Sequence, residues 1–233
     1  MTRRAARGDI TSMRKALIAA GILLGAAVLS ACQDSTSEGD CYEPSGTAYP
    51  VHITGDTTIT FRWPDSYFPV RIWAEPTGET VQNVDASLAL WLDAFLCNDL
   101  SLQRVTDSTT ADVIVTNPPF MPPQVAGSLV AFADSLTACQ ARTDITVDSA
   151  NVLERPIRVY LAPFNVDTAE VNACYRFTTA HEIGHSLGLL HHSSYSEDLM
   201  FNRPFRRMLT SGDRYTVQLL YRAVEPTIAP SPR

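Results

Sequence analysis

The sequence predicts an α+β domain in which a sheet is laid down first and two long helices follow. Three observations carry this. Short apolar stretches, one alternating with period two, are concentrated before residue 120. One stretch among them repeats its apolar residues with a helical period instead. The last third holds two segments that open on helix-capping residues, Asp167 and Thr210. Strands gathered early and helices late fit a sheet with helices packed on it.

Residues 1–31 stand outside that domain. Arg3, Arg4, Arg7, Arg14 and Lys15 form a basic start, and Ala16 to Leu29 is apolar. The apolar run is shorter than the roughly 20 residues a membrane helix needs, and reads as a secretory signal. Its end, Leu29-Ser30-Ala31-Cys32, resembles a bacterial lipobox. The expectation is cleavage before Cys32, a lipid on that cysteine, and a protein held outside the cytoplasm at the bacterial cell envelope. An ordinary cleaved signal with a coincidental cysteine is the alternative. Residues 32–55, rich in Ser, Thr, Gly and Asp, suit a flexible tether.

A domain over 56–224 comes next. Thr58-Ile59-Thr60-Phe61-Arg62 alternates with period two, and Val70 to Ala74 is a second strand candidate. Val84, Leu88, Trp91 and Phe95 mark one face of a helix. Asp112 to Thr116 reads as a short buried strand, and the prolines at 118, 119, 122 and 123 place a loop after it. Ile157 to Leu161 is a further strand. Asp167, with Glu170 three residues on, starts a helix near Thr168 that runs to about Leu187. Thr210 and Asp213 start another, with Val217, Leu220, Tyr221 and Val224 on its buried face. The proline-rich tail, 225–233, is expected to be disordered.

Charge narrows the function classes. Without residues 1–31 the chain carries 13 basic residues, all Arg, and 24 acidic ones, a net charge of −11. Phosphate contacts need clustered positive charge, so nucleic-acid binding is disfavoured. Beyond Cys32 there are four cysteines, Cys41, Cys97, Cys139 and Cys174, an even number suited to disulfides outside the cytosol. A Cys139–Cys174 pair would anchor the helix beginning near Thr168 to the segment before it; the pairing remains open, as does the reading that some are buried thiols.

Residues His181 to His192, HEIGHSLGLLHH, hold four of the five histidines. His181 and His185 are four apart, so a helix presents both imidazoles on one face, a spacing suited to two ligands of a tetrahedral zinc ion. Glu182 sits where its carboxylate reaches a water on that ion. Gly188 allows a positive φ, so the chain can leave the helix and return a third histidine. Strict spacing picks His191, with His192 as the alternative third ligand.

The pattern HExxHxxGxxH resembles that of the metzincins, and its surroundings are most similar to the matrixin branch. The resemblance implies a metzincin-like zincin fold: a twisted, mixed five-stranded sheet with an active-site helix and a C-terminal helix. It implies one catalytic Zn2+ and hydrolysis of peptide bonds in protein or peptide substrates, with Glu182 activating the zinc water. Leu199-Met200-Phe201 resembles the Met-turn, in which Met200 forms an apolar floor under the histidines. Counted to Met200, His192 gives the offset usual in matrixins and His191 is one residue longer. Structural Ca2+ is implied by the resemblance alone, and a monomer is expected. The sequence departs from the family in three places. Phe201-Asn202 stands where Tyr-Pro is common, the setting of Cys41 does not match an inhibitory cysteine switch, and Gly127 to Phe132 lacks the histidine that would hold a structural zinc. Arg203, Arg206 and Arg207 follow the turn as a basic cluster, read mainly as a solvated loop. Competing readings are an inert zinc-binding envelope lipoprotein and a zinc hydrolase of a non-peptide bond.

Overall fold

The strands expected at Val70 and Asp112 alternate in burial because successive side chains point to opposite faces of the sheet, and both strands lie inside it with a neighbour on each side. A computed structural model describes residues 47–54, 58–95, 99–124, 128–135, 138–163 and 167–233, with backbone alone at 53, 54 and 128–135. Residues 1–31, expected to be a signal segment, and Cys32, Cys41, Cys97 and Gly127 lie outside the described residues. Tyr49 and Val51, within the stretch expected to be a tether, are buried.

Two short strands, β1 (Ile53–Thr54) and β2 (Thr58–Ile59), pair antiparallel with each other. The first expected strand, 58–62, thus lies apart from the main sheet, and Phe61 only bridges Ile228. The main sheet starts with β3 (Val70–Ala74), followed by α1 (Thr80–Leu92) and β4 (Leu102–Val105). Next come β5 (Val113–Thr116), β6 (Ser128–Ser135), β7 (Cys139–Val147) and β8 (Val152–Pro163). The order is β4-β3-β5-β8-β7-β6, with β9 (Ala229–Pro230) beside β8. Pairs from β4 to β8 are parallel, and β8–β7 and β7–β6 are antiparallel.

The sheet is mixed, as expected, but it has six strands on this path where five were expected. Two of the strands that no stretch of the sequence announced, β4 and β7, lack an apolar alternation for physical reasons. β4 is an edge strand whose Gln103 and Arg104 face solvent. β7 reads as polar, yet its Arg142, Thr143 and Asp144 are all buried, each with a polar partner.

Beyond the sheet come α2 (Thr168–Ser186) and α3 (Ser211–Ala223). Asp167 caps α2 by accepting from the amides of Ala169 and Glu170, and Thr210 with Asp213 closes a capping box on α3. α2 packs against α1, β7 and β8. Val84, Leu88 and Trp91 of α1 are buried, and Phe95, just past the helix, meets Tyr221 edge-on at 5.4 Å. A disulfide joins Cys139, at the start of β7, to Cys174 in α2.

The tail is ordered, contrary to the sequence expectation. β9 runs parallel to β8 at Val152 and Leu153, and Arg233 donates to the buried carboxylate of Asp112. Arg71 and Arg155 pair with the same carboxylate at 3.2 and 2.7 Å. A single buried aspartate therefore holds three guanidiniums, and this compensation is what a buried charge requires. Proline at 230 is tolerated because β9 pairs only with β8.

Candidate metal centre

The last turn of α2 is fixed by close packing on one side and a tight exit on the other. A Cβ on Gly184 would lie 2.5 Å from Met200 Sδ and 2.6 Å from Trp91 Cζ2, so glycine lets both side chains press against the helix between the histidines. Trp91 Nε1 donates to the Ala180 carbonyl at 2.8 Å. Trp63 Nε1 and the Tyr221 hydroxyl donate to the carbonyls of Ser186 and Leu187 at 2.9 and 3.0 Å, satisfying acceptors that a helix end leaves open.

Gly188 then ends the helix with φ +106°. Its amide donates to His185 O and the Leu189 amide to Gly184 O, the paired bonds of a Schellman motif. A Cβ here would fall 2.0 Å from the Phe61 carbonyl oxygen.

The turn after Gly188 selects the third histidine. Leu189 and Leu190 are both fully buried, and Leu190 N bonds back to Gly188 O at 2.9 Å. This tight turn uses one residue more than the strict spacing assumes. His191 is left exposed, with its Nδ1 2.7 Å from the His192 carbonyl. His192 turns inward, and the next residue is pinned by Ser193 N donating to Met200 O at 2.8 Å. The structure thus brings His192, not the favoured His191, to His181 and His185.

The three rings offer nitrogen atoms that all lie within 4.8 Å of one another. His185 Nε2 and His192 Nε2 are 3.3 Å apart. Two ligands on a tetrahedral ion with Zn–N bonds of about 2.0–2.1 Å would be separated by about 3.3–3.4 Å. His181 Nδ1 and His185 Nδ1 approach the carbonyls of Leu199 and Leu189 at 2.7 and 2.6 Å. A carbonyl only accepts, so both Nδ1 atoms carry the proton and both Nε2 atoms present a lone pair. The donor set and its orientation fit a zinc ion.

Glu182 is buried beside the cluster, and its Oε2 accepts from the Thr143 hydroxyl at 2.5 Å. Nothing in the sequence singles out Thr143. A threonine in a polar strand carries no local signal, and its role appears only once β7 lies against α2. Met200 is fully buried, with its Sδ against Gly184 between His181 and His185.

The turn carrying Leu199 and Met200 is held from below by two carboxylates. Asp213 accepts from Leu199 N at 2.8 Å and Met200 N at 3.2 Å. Asp198 accepts from Ser193 and Thr210 hydroxyls, both at 2.5 Å. Burial raises the pKa of Asp213 above the ordinary range, and the charge of Asp198 adds to it, against the lowering effect of the Thr210, Leu199 and Met200 amides. Arg206 pairs with Glu197 at 2.8 Å on the surface, in keeping with a solvated loop.

Residues 120–222, from the loop before β6 through most of α3, match the family model of matrixin. This match supports a matrixin-like metzincin and a zinc metallopeptidase in general terms, for which substrates are proteins or peptides. No curated protein matches the chain significantly.

Proposed function

We propose that the chain is a zinc-dependent endopeptidase in which His181, His185 and His192 hold the ion and Glu182 is the general base. The observation that carries this is the convergence of three histidines, two with their tautomers set by backbone carbonyls, around a buried glutamate. Zinc at such a site supplies Lewis acidity and brings the pKa of water to about 7. The Glu182 carboxylate takes the proton of the attacking water and returns it to the leaving amine. Thr143 fixes the carboxylate by donating to Oε2, so the base keeps one orientation through both transfers. Met200 contributes packing and no ligand.

The sheet edge on the Glu182 side is β6, paired with the β7 strand that supplies Thr143. An extended peptide pairs with that edge through main-chain hydrogen bonds. The same proposal keeps the expected lipid on Cys32, which would confine the enzyme to the cell envelope.

The test is a comparison of wild type with Glu182→Gln in zinc content and in cleavage of a mixed protein substrate. The variant retains zinc and loses activity by about 10²–10⁴, the usual weight of a general base. Zinc bound to both, with equal and negligible cleavage, would sink the peptidase reading.

A further inference from the structure

We infer that Tyr49, from the stretch that reads in sequence as a tether, is a positioning residue for the histidine cluster, acting through Asp213 and the turn at Leu199–Met200. The path is short, and each step is a hydrogen bond. The Tyr49 hydroxyl donates to Asp213 Oδ1 at 3.1 Å, the oxygen that also accepts from Met200 N. The other oxygen, Oδ2, accepts from Leu199 N. The carbonyl of that same Leu199 accepts from His181 Nδ1 and so sets the tautomer and tilt of a histidine in the cluster.

The ring of Tyr49 is in place to do this. It is 5% exposed, and its backbone amide donates to Thr216 Oγ1 at 3.2 Å, while that hydroxyl donates to Gly212 O at 2.7 Å. The segment at 49 is thus clamped to the first turns of α3, whose cap residues Thr210 and Asp213 adjoin the turn. Burial and then the Asp213 charge push the Tyr49 phenol well above its ordinary range, which keeps it a neutral donor at any working pH. Asp213 therefore receives one donor from the N-terminal segment, two from the turn at Leu199–Met200, and the Thr210 amide and hydroxyl of its own helix cap. Loss of the first leaves a buried carboxylate with fewer donors, and the cost falls on the orientation of the others.

The consequences for metal binding rest on the zinc reading, whereas the link itself does not. Tyr49→Phe in the full chain keeps the ring and removes one hydroxyl. In metal-free protein, amide hydrogen exchange at Leu199 and Met200 is expected to quicken about tenfold, the scale of one hydrogen bond to a charged group. Amides in β3 and β5 stay unchanged. In a chelator competition the variant binds zinc about tenfold more weakly, as loss of an outer-shell partner does. Thr216→Val, which releases the Tyr49 backbone, gives the same pattern and replaces Tyr49→Phe should that variant not fold. Unchanged exchange at Leu199 and Met200, or an equal rise across the whole domain, overturns the inference and leaves Tyr49 as a packing residue. Quickened exchange in a protein that binds no zinc upholds the link while removing the metal-centre reading.

Discussion

Substituting Gly188 with alanine tests the helix exit that delivers the third histidine, and two separate costs can be worked out for it. The first is conformational: the residue has φ +106°, and an L side chain held at positive φ costs roughly 1–2 kcal/mol. The second is steric, since the new Cβ would lie 2.0 Å from the Phe61 carbonyl oxygen, a backbone atom that cannot swing aside. Forcing that displacement adds about 1–3 kcal/mol, giving a total of about 2–5 kcal/mol. Gly78 provides the control, because it has φ +51° and no heavy atom within 4 Å of its Cβ position. Gly78→Ala should cost only the conformational part, about 1–2 kcal/mol. Urea unfolding of the two variants reads the difference directly. In thermal unfolding it corresponds to a Tm drop of about 10 °C for Gly188→Ala against about 4 °C for Gly78→Ala. Equal losses would refute the argument, because the close approach to Phe61 would then impose nothing.

Three further expectations concern the site and its frame. His192→Ala loses zinc on desalting while His191→Ala retains it, as metal analysis of the two purified variants would read; the reverse result would return the third ligand to His191. Reduction of Cys139–Cys174, which closes a separation of 35 residues, lowers stability by about 3–4 kcal/mol on the chain-entropy account; denaturant titration with and without reductant measures it. For Asp112, burial raises the pKa, but hydrogen bonds from Arg71 and the charge of Arg233 outweigh it and hold the group below its ordinary 3.8. A depressed carboxylate contributes stability that is present above the unfolded value and lost as pH falls through the folded one. Asp112→Asn should therefore lower stability at pH 6 and flatten its decline below about pH 4, and a decline as steep as that of wild type would count against it.

The parts of this fold that are legible in the sequence are those whose signal is local. Asp167 and Thr210 cap their helices because a side-chain oxygen three residues before a free amide is a short-range fact. The stripe of Val84, Leu88 and Trp91 needs only one helix face. β7 escapes such a reading because its buried residues are polar: Arg142 donates to the carbonyls of Pro122 and Pro123 and pairs with Asp144, and Thr143 serves Glu182. Alternation fails wherever buried polar groups are satisfied by residues distant in the chain. The order of the tail is hidden for a similar reason, since it comes from Asp112, more than a hundred residues earlier.

The choice between His191 and His192 shows where motif spacing stops being a physical argument. A spacing rule assumes that the residues between glycine and ligand take one path. In this chain Leu189 and Leu190 are both taken into the core, and the Leu190 amide closes back on Gly188, so the path is one residue longer. The offset counted backward from Met200 favours His192 because that segment is held at both ends, by Ser193 N on Met200 O and by Asp213 on the Met200 amide. A spacing measured across a clamped segment carries more weight than one measured across a turn that the core can redraw. By that standard the turn at Leu199–Met200 is the frame from which the histidines are placed, and the carboxylate of Asp213 that holds it belongs to the site as much as the histidines do.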